Sequence, residues 1–335
     1  MKRLAILGSI LVAGMSAVAA YGQGRPLPGI TDIEKVSEHV YRIPGAGGNT
    51  VVFLRSDGVV LVDTKLPQNG ESILAQVRKI TDKPVTMIIN THSHPDHMGS
   101  NTEIDTAANN VQVVAQARSA ARIVKLPNGG TIDTTFDDKL TLGAGADQID
   151  LYYFGAGHTD GDAFVVFPAD RTMAAGDIYA WHMSPLIDPG SGGSQLAAAV
   201  TLTDAFYGIK GVDHVITGHH KVYSWEDFRS YMQFNRAVVD VAKQVVARNG
   251  TPEQALEQLA ANPSFQVFMS DVVTPEINYG GSPKSRSLIA LNVAFQEIRG
   301  EPVTTQWGPR PATPPAGGAP GGGGARPDDH DHEHY

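Results

Sequence analysis

Cysteine is absent from all 335 residues of the sequence. That absence excludes disulfide bonds and every thiolate-ligated metal site, so any metal must be held by imidazole and carboxylate. Basic stretches are missing too: 26 Lys and Arg stand against 35 Asp and Glu, a formal net charge of −9. Without a basic footprint no nucleic-acid partner is expected, and nuclease activity is disfavoured. Long apolar runs are the third absence. Residues 4–20 follow Lys2 and Arg3 but are heavy in Gly, Ala and Ser, short of the ~20 strongly apolar residues that a membrane span needs. Small residues at Ala17, Ala19, Ala20 and Gly22 offer cleavage points, which is the layout of a secretory signal peptide over residues 1–22. The expectation is a periplasmic or secreted protein with no stable membrane span once that segment is cleaved.

From residue 307 the chain is Pro/Gly-rich, so residues 307–335 are expected to form a tail that buries no core. The tail ends in DDHDHEHY, where His330, His332 and His334 alternate with acids and are candidates for weak zinc capture. Residues 26–306 remain and fit one large α/β domain. Residues 49–54 and 58–63 read as strands joined at Ser56-Asp57-Gly58, a hairpin turn pattern. Residues 69–81 place Ile73, Leu74, Val77 and Ile80 on one helical face, and residues 85–90 (VTMIIN) read as a buried strand. Strands follow at 139–142, 148–154, 163–167, 172–175 and 214–217, with a helix at 195–209 before the last of them. Beyond Tyr223 the pattern is helical. Ser224 with Asp227 forms a capping box, Thr251-Pro252 opens a second helix, and Leu288, Leu291, Phe295 and Ile298 align on a third.

Chemistry concentrates at residues 91–100, THSHPDHMGS, directly after VTMIIN. His92, His94, Asp96 and His97 fall within six residues. Helical ligand pairs recur at i and i+4. Pro95 and the tighter spacing here point instead to an irregular loop, with His92 and His94 turned to one metal and Asp96 and His97 to another. Three further candidates each follow a predicted strand: His158 in GHTDGD, Asp177 in AAGDIY and His219 in ITGHH. Asp63 closes GVVLVD in the same way. Such placement brings distant residues to one sheet edge. His220 is expected to point away from its neighbour along an extended chain. His182, beside Trp181, and Ser191, within residues 188–194 (DPGSGGS), are candidates for a substrate pocket. Backbone N–H groups of that second stretch could receive a substrate carboxylate.

HSHPDH resembles the H-x-H-x-D-H motif of the metallo-β-lactamase superfamily. The order Asp63, motif, His158, Asp177, His219 is similar to that family's five motifs, over about residues 45–221. The resemblance implies an α/β fold, a four-layer αββα sandwich, with a dinuclear site on one edge. It assigns His92, His94 and His158 to a first metal, Asp96, His97 and His219 to a second, and Asp177 to a bridge between them. Asp63 would support the ligand loop by hydrogen bonding. Two Zn2+ per chain are implied, with iron as the alternative, acting on a small-molecule substrate. The oligomeric state stays open. The implied reaction cleaves a carbonyl-type bond (lactone, lactam, ester or thioester) with hydroxide held on the metals and oriented by Asp96. One departure narrows this. The best-known lactamases of the superfamily carry cysteine where Asp177 falls, and an aspartate there looks more like the glyoxalase II, lactonase and phosphodiesterase branches. The alternatives are a β-lactamase-type antibiotic hydrolase, a phosphodiesterase, an iron-dependent sulfur dioxygenase on the same ligands, and a zinc-binding protein without catalysis.

Overall fold

Val59–Val62 and Val85–Asn90 are almost wholly apolar because both of their faces are covered. The computed structural model describes residues 29–106, 109–273 and 281–303. The expected signal segment (1–22) and the tail (307–335), with His330, His332 and His334, lie outside the described residues. A seven-stranded sheet runs in chain order: β1 (Glu34–Lys35), β2 (Val40–Ile43), β3 (Thr50–Leu54), β4 (Val59–Val62), β5 (Val85–Asn90), β6 (Gln112–Gln116) and β7 (Thr134–Phe136). Its first four strands pair antiparallel, and β4 to β7 run parallel. The second sheet holds β8 (Lys139–Leu142), β9 (Ile149–Tyr152), β10 (Phe164–Phe167), β11 (Thr172–Ala174), β12 (His214–Ile216) and β13 (Val222–Ser224), in the order β13-β12-β11-β10-β9-β8.

Period-two alternation sorts the side chains into layers. Val51 and Phe53 of β3, Val60 and Val62 of β4, and Met87 and Ile89 of β5 enter one core with Val165 and Phe167 of β10. Phe53 and Phe167 meet across the two sheets with ring centroids 4.6 Å apart. The alternate residues Val52, Val59, Leu61 and Ile88 face outward and pack on α1 (Gly70–Val77) through Ile73 and Val77. On the opposite side Phe164, Val166 and Met173 pack under α5 (Gln195–Gly208), α6 (Trp225–Val246), α7 (Pro252–Ala260) and α8 (Pro283–Arg299). The result is the αββα sandwich. No helix among the described residues is long and apolar enough to cross a membrane. Capping boxes form at Ser224 with Asp227 and at Thr251 with Gln254, each cap contributing about 1 kcal/mol.

Two expectations change. Residues 91–94 are irregular, but Pro95–Met98 forms a one-turn helix, α2, followed by α3 (Asn101–Ile104). Pro95 opens this turn rather than forbidding it, since the first helical position has no use for its missing N–H. Residues 112–136, for which periodicity predicts nothing, supply β6, α4 (Ala117–Ile123) and β7. Gln116 both ends β6 and caps α4 through its own side chain, so no Gly or Pro marks the boundary.

Candidate metal centre

The parallel pairing of β4 with β5, and of β11 with β12, points the C-terminal ends of each pair one way. β9 runs with β11, because both pair antiparallel with β10. The loops leaving β4, β5, β9, β11 and β12 carry Asp63, the segment 91–97, His158, Asp177 and His219, and their side chains meet. Three groups of donor atoms, each within 4.8 Å of itself, could hold metal ions: His92, His94, His158 and Asp177; Asp96, His97 and His219; and a third, Asp63, His92 and His97, that shares a histidine with each of the others. Asp177 lies between the first two. Its carboxylate oxygens are 3.2 Å from His97 Nε2, 3.2 Å from His219 Nε2 and 3.7 Å from His158 Nε2.

Partners outside the cluster decide which ring nitrogen faces inward. His97 Nδ1 donates to Asp63 Oδ2 at 2.7 Å, His158 Nδ1 donates to the Leu186 carbonyl, and His92 Nδ1 contacts Thr91 Oγ1 at 3.0 Å. Each leaves Nε2 for the centre. His94 is reversed: its Nε2 donates to Asp188 Oδ2 at 2.9 Å, so Nδ1 faces inward. Asp63 also accepts from Thr91 N and Thr91 Oγ1, at 2.8 and 2.7 Å, which commits both of its oxygens to holding the ligand segment.

Zinc and iron both take imidazole and carboxylate donors, and the inward atoms fit such a cation. His92 Nε2 is buried with no hydrogen-bond partner, a costly state for a polar atom unless something binds it, and buried Asp96 Oδ2 has His219 Nε2 at 3.3 Å. His94 Nδ1 and His158 Nε2 approach to 2.9 Å, and His97 Nε2 and His219 Nε2 to 3.3 Å. Facing lone pairs at such distances repel unless a proton or a cation lies between them.

The two halves differ electrostatically. Burial pushes His158 down to about 4, helped by the neighbouring His94, and burial with His97 and His94 holds His92 well below the usual range. In the other half, burial is outweighed by carboxylates: Asp177 and Asp96 lift His219 to about 9, and with Asp63 they lift His97 well above its usual value. Asp96 is held at about 2, because His97 and His219 overcome the opposing effect of burial.

Asp188 is the carboxylate that sequence reading did not assign. It lies 94 residues from His94. The expected backbone anion site at residues 188–194 is not there, because its N–H groups are spent on the turn itself. Gly190 N donates to Asp188 Oδ1, Ser191 N and Gly193 N to Asp188 O, Gly192 N to Pro189 O, and Ser194 N to Gly157 O. Replacing Asp188 with asparagine is expected to weaken metal binding at His92, His94 and His158 by about 10-fold, the low end for an outer partner, since its side chain is 34% exposed. Zinc titration of the stripped protein against a competing chelator measures it.

A cavity of about 30 Å³, room for roughly one water, adjoins the cluster. His158, Asp177 and His219 form one wall, with Tyr179, Met183 and Leu186 as apolar neighbours. His220 and Arg286 also line it. Residues 217–220 turn rather than extend, with His220 N donating to Thr217 Oγ1 at 2.8 Å, so the chain here is not the extended one expected, and His219 but not His220 joins a donor group. His182 instead packs on Trp181 and Tyr223, with centroids 4.7 and 5.9 Å away, and Ser191 closes the short turn Pro189–Ser191. Neither is among the residues lining this cavity. Arg286, 4% exposed, comes from the last helix, a position no local motif marks.

The family model described as the metallo-beta-lactamase superfamily matches residues 43–178. A type 2 metallo-β-lactamase of Elizabethkingia meningoseptica is 28% identical over 178 residues, half of this chain and 69% of that protein. A linear primary-alkylsulfatase of a Pseudomonas species is 32% identical over 108 residues, covering 32% of this chain and 19% of that one. In structure, a metallo-β-lactamase from Pontibacter korlensis superposes with a TM-score of 0.54 at 19% identity, covering 61% of this chain and 99% of that one, a likeness of fold. Motif order, sandwich topology and the convergence of His and Asp side chains agree with these matches. Residues 43–178 match the metallo-β-lactamase superfamily, and the fold and donor set there are those of a metal-dependent hydrolase.

Proposed function

We propose that the protein is a two-zinc hydrolase of carbonyl-type bonds (lactone, lactam, ester or thioester) acting outside the cytoplasm. The observation that carries this reading is Asp177, whose two oxygens reach histidines of both donor groups. His92, His94 and His158 would hold one cation, Asp96, His97 and His219 the other, and Asp177 both. Zinc is preferred to iron, which the same donors suit; His94 keeps imidazole at a position that some iron-binding relatives give to glutamate, which argues against that subgroup alone. When bound, divalent cations polarise a substrate oxygen and bring the pKa of a coordinated water towards neutrality. The protein's own part is positional. Asp63, Leu186 O and Asp188 fix the ring orientations, and Asp96, kept ionised, presents an acceptor that would orient the attacking water. The apolar N-terminal segment supports export.

β-Lactam hydrolysis is the second reading, favoured by the type 2 lactamase relative and weakened by aspartate at position 177. Elemental analysis of the purified protein, followed by a panel of chromogenic cephalosporin, acyl-homoserine lactone, thioester and phosphodiester, tests both readings. Two zinc per chain with lactone or thioester turnover is expected. Iron content with none of these hydrolysed would overturn the proposal.

Metal loading should release protons unevenly. At pH 7 His97 and His219 hold protons that a cation must displace, whereas His92 and His158 are already neutral and, in that half, only His94 is shifted upward. Protonated imidazole cannot ligate, so affinity at the Asp96–His97–His219 position rises with pH through the range near 9 in which His219 loses its proton. Zinc titration calorimetry in two buffers of different ionisation enthalpy is expected to show more protons released in the second step than in the first. Equal release would contradict the assignment.

A further inference from the structure

Lys65 is fully buried, at 0% exposure, and follows Asp63 by two residues in a segment where both take positive φ, +64° and +62°. No L side chain favours that backbone region, so the conformation is held by its surroundings. What holds it is visible. The Lys65 ammonium donates to the carbonyls of Ile43 at 2.6 Å, Gly45 at 2.8 Å and Gly48 at 2.8 Å, which uses all three of its hydrogens. Those carbonyls converge because Gly45, Ala46 and Gly47 all have positive φ, folding the loop between β2 and β3 around the cation.

That loop is wedged between the two segments that carry the second donor group. Gly48 N donates to Asp96 O at 2.9 Å, and Asn49 N donates to Gly218 O at 2.6 Å, one residue before His219. Asn49 Nδ2 reaches Thr217 O and His220 O, both at 2.8 Å. At Gly48 a Cβ would lie 2.3 Å from His97 Cε1, so the glycine backbone is pressed onto the ring itself. Lys65 also grips from its own main chain: its carbonyl accepts from Gly99 N at 2.8 Å, just past α2. No comparable contact runs from this loop to His94 or His158.

We propose that Lys65 is a positioning residue for one metal position only, that of Asp96, His97 and His219. Its ammonium gathers the loop of residues 43–48 into the shape that braces these three ligands. The inference rests on the two-position reading of the centre. Removing the cation leaves three carbonyls without their donor and lets Gly48 withdraw from His97, while the Leu186 and Asp188 contacts that orient His158 and His94 stay in place.

The test uses the full chain, stripped of metal, titrated with Zn2+ against a competing chelator and with Co2+ followed by visible absorption. Lys65→Met is expected to bind the first equivalent within about 3-fold of wild type and the second 10- to 100-fold more weakly, the range for losing an outer support. The first-step cobalt spectrum should be unchanged and the second-step spectrum altered. Should the methionine variant not fold, Lys65→Gln, which keeps two donors, carries the test with a smaller loss of the same selectivity. Two equivalents bound by wild type, with both steps weakened alike or neither weakened in a folded variant, would overturn the role given to Lys65. A wild-type chain that takes up only one equivalent overturns the two-position reading and this role with it.

Discussion

Replacing Asp177 with alanine is expected to lower kcat/KM by more than about 100-fold on whichever panel substrate responds. Loss of an outer-shell partner already costs roughly 10- to 100-fold in affinity or activity, and Asp177 touches both donor groups directly. Its carboxyl is held well below the usual range because His219 and His97 outweigh the effect of burial. It is therefore the negative charge on which the second half of the cluster depends. Without it His97 and His219 lose an acceptor 3.2 Å away, and two cations would face each other with less charge between them. Prolonged dialysis against a chelator should reproduce the loss in wild type, with recovery on adding zinc. A variant that keeps two metals and activity within 10-fold of wild type would show that Asp177 does not bridge.

The second large effect is expected at Asp63. Its side chain is 4% exposed and accepts three hydrogen bonds, from Thr91 N, Thr91 Oγ1 and His97 Nδ1. Asp63→Ala strands all three donors in a dry site, and breaking a buried charged pair in this way costs about 3–5 kcal/mol. Metal affinity at the position of His97 should fall 10- to 100-fold as well, since that ring loses its orientation. Asp63→Asn separates the two causes. Asparagine tolerates positive φ and keeps one acceptor oxygen, so the fold should survive while its amide opposes the remaining donors. Urea unfolding of the stripped protein measures the stability change, and zinc competition measures the affinity. An asparagine variant with wild-type affinity would remove Asp63 from the support of the centre.

Most of the donor set was legible because its information is local. A buried strand shows as an apolar run, and a ligand placed just beyond it shows among the first polar groups after the run. His92 after VTMIIN and Asp177 after TMAA are such cases. The α/β class was legible for a related reason, since strands covered on both faces lose polar alternation; the four-layer sandwich followed from the resemblance alone. Residues 112–136 were not legible, because β6 passes into α4 through Gln116 with no turn residue between them.

The sequence by itself determined which chemistry is present: imidazole and carboxylate donors without thiolate, arranged in an order that resembles one superfamily. Only the tertiary structure decided how those donors are aimed. Asp188 meets His94 across 94 positions, Asn49 reaches His220 across 171, and Lys65 closes on a loop about 20 residues earlier. No periodicity encodes such pairs, because each depends on two loops being brought to the same sheet edge. His220 makes the same point from the opposite direction. An extended chain is expected at this residue, and a turn at residues 217–220 instead makes it one of the residues lining the cavity beside His219.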